Sequence, residues 1–197
     1  MPDPADLLRR ISENTDLSAF LAEIPEFDVN RREPGDQPQL TSGSALHMIA
    51  GDFTGGAFYL CGDEASAQPV VYASSEGEAG VIAPSLAEAL ELLIGLPYWR
   101  DCLTYSSNGN LDTMQSAAAL LQQDLSEDRP EADAAQSHAA QLIGLTRRPV
   151  PELVRRLHTA VSSAEPEFAF SDATGDYGSL FGPFEPSRNR RWQSRLG

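Results

Sequence analysis

The sequence has 197 residues, 41% of them hydrophobic, and sets 14 arginines and no lysine against 29 acidic residues, for a formal net charge of -15 at pH 7. The absence of lysine excludes a P-loop, a Schiff-base enzyme and a Ser-Lys dyad, because each depends on the lysine amine. The negative charge repels nucleic acid phosphates, so we expect no DNA or RNA partner and favour a basic protein partner.

The sequence lacks the usual marks of secretion or membrane insertion. Its first residues, "MPDPADLLRR", show no basic stretch followed by an apolar run. The longest apolar run, "LLIGLPYW", is far shorter than the ~20 residues that cross a bilayer. We therefore expect a cytoplasmic protein that does not contact a membrane, in which Cys61 and Cys102 stay reduced and behave as small apolar residues.

The first part of the chain predicts two short helices followed by a sheet. Apolar residues at helical spacing run from Asp6 to Ile24, and Pro25 ends the pattern. A loop rich in Pro, Gly and Asp comes next. Four runs rich in Val, Ile, Phe and Tyr then alternate with turn residues, which predicts an antiparallel meander of "ALHMIA", "AFYLC", "PVVYA" and "VIA".

Helical patterns dominate the chain after the sheet. In "PSLAEALELLIGLPYW", Ser85 is the expected N-cap, Gly95 the expected end, and Pro97 prevents continuation. Three amphipathic segments follow: "DTMQSAAALLQQDL", "EADAAQSHAAQLIGL" and "PELVRRLHTAVSS". We therefore predict an α+β fold, with an antiparallel meander sheet packed by helices and a helical C-terminal extension.

The same patterns give the domain boundaries. Residues 1–165 are predicted to form a single α+β domain, with the sheet core at 45–99 and the helical extension at 110–163. Residues 166–197 form an aromatic, Gly/Pro-rich tail that either wraps the body or stays partly disordered.

The glycine-rich stretch "GDFTGG" admits two interpretations, a phosphate-binding loop or a hairpin turn. A phosphate loop needs a following helix whose amides face the phosphate, whereas a strand follows here. Tight hairpin turns use glycine for its positive φ angles, and this explains Gly55 and Gly56 better. We therefore predict a hairpin.

Acidic side chains recur in the loops of the predicted sheet, at Asp52, Asp63, Glu64, Glu76 and Glu78. Carboxylate oxygens are calcium ligands, but an EF-hand places them at alternate positions of one short loop, and these are scattered. A solvated acidic rim is the favoured interpretation.

No pattern typical of a zinc site or a catalytic nucleophile stands out. His47, His138 and His158 and the two cysteines lack paired spacing such as Cys-x-x-Cys. Ser74 and Ser75 lie in a predicted turn without a Gly-x-Ser-x-Gly motif or an oxyanion hole. We therefore expect no catalytic residue, no metal and no cofactor. Tyr98 and Trp99, which follow the strongest helix, are expected to fill the core.

A family resemblance rests on the run from Ala50 to Trp99. This run has a Gly-Asp turn after one strand, a Gly-Gly entry to the next, a Pro-Val-x-Tyr strand, an acidic loop and a Ser-Leu-x-Glu helix. It resembles the core of the SUKH superfamily, which includes fungal cell-wall-synthesis regulators and bacterial immunity proteins. The resemblance implies an α+β fold without catalysis that binds another protein, in bacterial members often a toxin domain. The first 45 residues, the helices after Trp99 and the tail lie outside it.

These observations predict a non-enzymatic protein-binding domain of the immunity type that masks a basic toxin domain. An acidic surface suits such a partner because it competes with the nucleic acid that a basic nuclease binds. Two alternatives stay open: a small-ligand or metal-dependent enzyme with carboxylates in the sheet loops, and a regulatory scaffold domain.

The predicted partner-binding surface comprises the loops and an exposed face of the sheet. Acidic residues there accelerate association, and Phe53 and Tyr72 are candidate anchors. The predicted residues are Asp52, Phe53, Asp63, Glu64, Tyr72, Glu76 and Glu78. Since the sequence has no basic residue between Arg32 and Arg100, we expect the acids of this region, with Glu88 and Glu91 of the helix, to be uncompensated.

Overall fold

The computed structural model describes residues 2–32, 38–40, 42–62, 68–164, 170–172 and 175–181. These residues form the helices α1 (Pro4–Glu13), α2 (Thr15–Glu23), α3 (Leu86–Gly95), α4 (Trp99–Thr104), α5 (Leu111–Asp128), α6 (Ala132–Ile143) and α7 (Val150–Ala164). They also form the strands β1 (Gln39–Leu40), β2 (Leu46–Gly51), β3 (Ala57–Cys61), β4 (Val70–Ala73), β5 (Glu78–Ala83), β6 (Phe170–Asp172), β7 (Gly175–Asp176) and β8 (Gly178–Ser179). None of the helices in this part of the chain is both long and apolar enough to cross a membrane.

The main sheet is the predicted meander with one strand added. Its order is β2-β3-β4-β5-β8, in which β2 to β5 pair antiparallel and β8 pairs parallel with β5. The four predicted runs correspond to β2, β3, β4 and β5. The prediction of an α+β fold, with an antiparallel meander sheet packed by helices, is therefore confirmed.

Both faces of the main sheet are buried. Alternate strand residues such as Phe58 and Tyr72 pack into the core formed with the helices, and their neighbours Tyr59 and Val71 enter a second apolar cluster. The second cluster is completed from β1 and β6, which belong to a separate sheet of order β1-β6-β7. The prediction that one sheet face is exposed to a partner is therefore wrong, because these strands cover it.

Helix α3 begins and packs as its sequence predicts. The Ser85 side chain accepts a hydrogen bond from the Glu88 amide at 3.3 Å, which satisfies one of the amides left free in the first turn. Leu86, Leu90 and Leu93 are all at most 1% exposed. The helix is thereby fixed between the sheet and the helices of the C-terminal region.

The C-terminal helices belong to the same core as the sheet. Helix α7 contacts both β5 and α5. Its predicted apolar face is buried, with Leu153, Val154, Leu157, Ala160 and Val161 at most 9% exposed.

Helix α4 was not expected from the sequence, since only one turn and a half follows the helix-breaking Pro97. Its first residue, Trp99, is 1% exposed and fills the core as predicted.

The described part of the aromatic tail wraps the body. Strand β6 pairs with β1, and β8 pairs with β5, so the tail adds strands to both sheets. Phe170 and Tyr177 lie in the second apolar cluster with their ring centroids 6.4 Å apart. Residues 166–169, 173–174 and 182–197 of the predicted tail lie outside the described residues.

Leu90→Ala should lower the free energy of unfolding by about 2 to 5 kcal/mol, because it leaves a cavity beside the sheet. Leu142→Ala is the matched control, since Leu142 is 36% exposed on α6 and its truncation should change stability little. Denaturant unfolding of both variants checks the packing assignment, and an unmoved midpoint for Leu90→Ala would contradict it.

Candidate functional site

The carboxylate of Asp52 closes the turn between β2 and β3. Its Oδ1 atom accepts hydrogen bonds at 2.8 Å from the Thr54 amide, the Thr54 hydroxyl and the Gly56 amide. Asp52 follows the last residue of β2 directly, and only 3% of it is exposed. An aspartate at this place holds the hairpin turn by bonding backbone amides that follow it in the chain.

The second oxygen of the same carboxylate reaches across the fold. Oδ2 of Asp52 accepts hydrogen bonds at 2.7 Å from the Tyr72 hydroxyl of β4 and from the Arg100 guanidinium of α4. Arg100 also lies 3.1 Å from the Tyr72 hydroxyl and forms an ion pair with Glu26, which follows α2. These four side chains, called here the Asp52 network, join the turn, the sheet and both helical regions.

The network fixes the protonation of its members. Burial by itself raises the pKa of Asp52, but hydrogen bonds from Tyr72, Thr54 and the Gly56 amide and the charge of Arg100 outweigh it, so the pKa lies below its ordinary value. Burial and the bond to Asp52 raise the pKa of Tyr72 well above its ordinary value. Tyr72 therefore stays a neutral donor, and Asp52 a charged acceptor.

The glycines of the hairpin turn have different roles. Gly55 has a φ angle of 94°, as predicted for a tight turn. The same expectation for Gly56 is wrong, since its φ angle is not positive. A Cβ atom at Gly56 would lie 2.6 Å from Oδ2 of Asp52 and would overlap the Tyr72 hydroxyl. Gly56 is required because the network passes directly over its backbone.

Aromatic rings pack around the network and form part of its apolar wall. Tyr72 lies 5.0 Å from Trp99 in an edge-to-face arrangement and 5.0 Å from Phe58, measured between ring centroids. The guanidinium carbon of Arg100 lies 5.9 Å from the Tyr72 ring centroid. These contacts orient the tyrosine hydroxyl and the guanidinium toward Asp52.

A cleft of about 440 Å³ opens beside the network. Tyr72, Trp99 and Arg100 contribute to its wall. The rim carries the turn between β4 and β5, with Glu76 and Glu78, and Leu180 and Phe181 also line the cleft. We call it the acidic cleft. It combines two carboxylates with apolar walls, an arrangement that suits a long basic side chain better than an anion.

The serine in the rim turn is bound within the turn itself. The Ser74 hydroxyl donates to Glu78 at 2.5 Å and accepts from the amides of Glu76 and Glu78 at 3.3 and 3.0 Å. The hydroxyl thus has its donor and its acceptor capacity engaged in shaping the turn. This geometry favours a structural role for Ser74 over that of a nucleophile.

The structure places the predicted partner-binding residues in different surroundings. Glu76 is exposed and Glu78 half-buried at the rim of the acidic cleft. Phe53 is 56% exposed on the neighbouring turn, with the Arg31 guanidinium carbon 4.8 Å from its ring centroid. Asp63 and Glu64 lie outside the described residues.

The remaining two predicted contact residues, Asp52 and Tyr72, are not surface groups. Asp52 is 3% exposed and Tyr72 is 2% exposed. The Tyr72 hydroxyl donates a hydrogen bond to the Asp52 carboxylate inside the network. The prediction that they meet a partner directly is therefore wrong. The strand and turn pattern of the sequence indicates accessible side chains at both positions, and it does not reveal their contact with an arginine distant in the chain.

The expectation that the acids of helix α3 lack a counter-charge is wrong. Glu91 of α3 forms ion pairs with Arg148 and Arg156, and Glu88 pairs with Arg156. Arg156 lies in the middle of α7 and Arg148 just before that helix, and both are far from α3 along the chain. Arg100 and Glu26 were missed as site residues. The sequence held one signal for Arg100, since it is the first basic residue after the acid-rich sheet.

Within the described ranges, no three His, Cys, Asp or Glu side chains group together as a metal site would require. His47 and His138 are exposed, and His158 lies 2.7 Å from the Gly109 carbonyl oxygen through its Nε2 atom. Both cysteines are buried and free.

Comparison with known proteins gives no match to any family model, any curated protein or any solved structure.

Arg100→Met should lower the free energy of unfolding by about 2 to 4 kcal/mol, because it leaves the buried Asp52 carboxylate without its counter-ion. The Asp52 side chain is 0% exposed in this pair, and the Arg100 side chain 33%. Arg129→Met is the control, since its ion pair with Glu23 is exposed on both sides and should contribute little. Equal losses in denaturant unfolding would contradict a special role for Arg100.

Asp52→Asn should flatten the dependence of stability on acid pH. The folded pKa of Asp52 lies below its ordinary value of 3.8, so its ionised form adds stability above that pH and loses it as the pH falls through the folded pKa. Thermal melts of the parent between about pH 5 and pH 2 should show this loss, and the variant, though less stable at neutral pH, should show less of it. The exposed Asp128→Asn should retain the parental slope.

Proposed function

We propose that the chain is a non-enzymatic protein-binding domain of the immunity type, which masks a basic toxin domain at the acidic cleft. The observation that carries the proposal is the pair of rim carboxylates, Glu76 and Glu78. Among the described residues, no arginine forms an ion pair with either of them. Arg100 lines the same cleft, but its charge is compensated by ion pairs with Asp52 and Glu26.

The arginines of the described chain support this view. Ion pairs within the fold engage Arg9, Arg10, Arg31, Arg100, Arg129, Arg147, Arg148 and Arg156. Because the formal net charge is -15, pairing of this kind leaves an excess of carboxylates at the surface. Such a surface attracts a basic protein and repels a nucleic acid.

An apolar anchor lies on the same edge of the molecule. The hairpin turn with Phe53 and the rim turn lie side by side, since a Cβ atom at Gly55 would be 3.5 Å from that of Ser75. Phe53 is the most exposed large apolar side chain among the described residues. Charged residues of a rim mainly accelerate association, and a central aromatic residue mainly slows dissociation.

The resemblance of Ala50 to Trp99 to the SUKH superfamily supports the same assignment, because the partner of its bacterial members is often a toxin domain. The buried free thiols Cys61 and Cys102 agree with a protein that works in the reducing cytoplasm. The engaged hydroxyl of Ser74 supports a binding role over hydrolysis.

The test first looks for a gene that encodes a toxin domain beside the gene for this chain, and then measures how that domain binds. Glu76→Gln with Glu78→Gln should slow association about three- to tenfold at low salt and weaken its salt dependence, because exposed charges are screened beyond ~8 Å at physiological ionic strength. Phe53→Ala should mainly accelerate dissociation. Stopped-flow or surface plasmon resonance measurements separate the two rates.

The matched control is Asp128→Asn with Glu131→Gln, which removes two exposed charges away from the acidic cleft. An association rate unchanged at both salts in the rim variant, or a gene neighbourhood of housekeeping functions without a toxin, would count against the proposal.

A further inference from the structure

The described chain ends at the acidic cleft. Strand β8 places Gly178 opposite Glu78, the rim residue, and Ser179 opposite Ala79. Leu180 then packs on Gly80, whose Cβ position lies 3.0 Å from a Leu180 methyl carbon. Phe181, the last described residue, lines the cleft. The last described residue is therefore part of the cleft wall.

The segment that follows, residues 182–197, has a charge opposite to that of the rest of the chain. It contains Arg188, Arg190, Arg191 and Arg195 against the single acid Glu185. The formal net charge of the whole chain is -15, whereas this segment taken alone is basic. Its charge is complementary to that of the rim carboxylates.

We propose that the arginine-rich segment 182–197 occupies the acidic cleft of the free protein, and that a basic partner displaces it on binding. This inference deepens the proposed function, on which its second part rests, by naming how the same cleft is regulated. The occupant is a segment of this chain, and its arginines stand in for those of the partner.

The reach of the chain permits this contact. The seven residues from Gly182 to Arg188 span at most about 25 Å when extended, and the rim begins beside their starting point. A segment tethered so closely has an effective concentration on the order of millimolar. A few weak ion pairs are then enough to keep it bound, although the same segment as a free peptide would bind poorly.

Partial digestion with trypsin tests the docking without any partner. The chain has no lysine, so trypsin cuts only after arginine. In the full-length protein, cleavage after Arg190 and Arg191 should be about fivefold faster in Glu76→Gln with Glu78→Gln than in the parent at low salt. At about 500 mM salt this difference should vanish, because the charges are screened. Mass spectrometry follows each cut.

Two controls separate docking from loss of fold. Cleavage after Arg155, which is exposed in the middle of α7, reports unfolding and should stay slow in every variant. Asp128→Asn with Glu131→Gln should leave the tail cuts at the parental rate. Equal cleavage after Arg190 and Arg191 in the parent and the rim variant would overturn the proposal.

A second variant leaves the cleft untouched, which keeps the proposal testable if the rim variant proves unstable. Replacing Arg188, Arg190 and Arg191 by glutamine should accelerate amide hydrogen exchange of residues 74–78 about threefold at low salt, since an uncovered turn opens more freely. Unchanged exchange would overturn the docking.

The tail variant should also bind the toxin domain faster than the parent. If the trypsin cleavage and hydrogen exchange results agree with docking and this association rate does not change, the segment occupies the cleft but the partner binds elsewhere. The proposed function would then fail while the docking stands.

Discussion

The carboxylate of Asp52 is the one group on which the arrangement of sheet and helices depends. A buried carboxylate is stable only if its charge is met by donors on every side, and here the donors come from the hairpin turn, β4 and α4. Glu26 extends the requirement to the end of α2 through Arg100. A shift of any of these elements leaves a charge without its partner, so their relative positions are strongly specified.

This constraint was not visible in the sequence. Patterns of period two and 3.6 predicted the meander, the capped helix α3 and the apolar face of α7, because each depends on neighbours within one element. The Asp52 network joins residues 20 and 48 positions apart, and neither separation belongs to a local pattern. Asp52 therefore resembled a solvated rim residue, and Tyr72 resembled an exposed anchor.

The second sheet escaped prediction for a related reason. Strands β1 and β7 have two residues each, and β6 has three, which is too short for an alternating pattern to show. They exist because Leu40 and Phe170 bury apolar surface on the far face of the main sheet. That face was expected to meet a partner, whereas the turns at the sheet edge kept the predicted Phe53, Glu76 and Glu78 accessible. Sequence patterns placed Glu76 in an exposed turn, and they misjudged the depth of Asp52 and Tyr72.

The pairing of β1 with β6 has a consequence for synthesis on the ribosome. Leu40 faces Phe170 in this ladder, so β1 cannot pair until β6, a strand much later in the chain, has been made. At the usual rate of about 5 to 20 residues per second, the wait is on the order of ten seconds. Throughout that time Tyr59, Val71 and Val81 on the completed meander have no cover. The nascent chain thus exposes an apolar sheet face to solvent until β6 is made, and an exposed face of this kind favours aggregation.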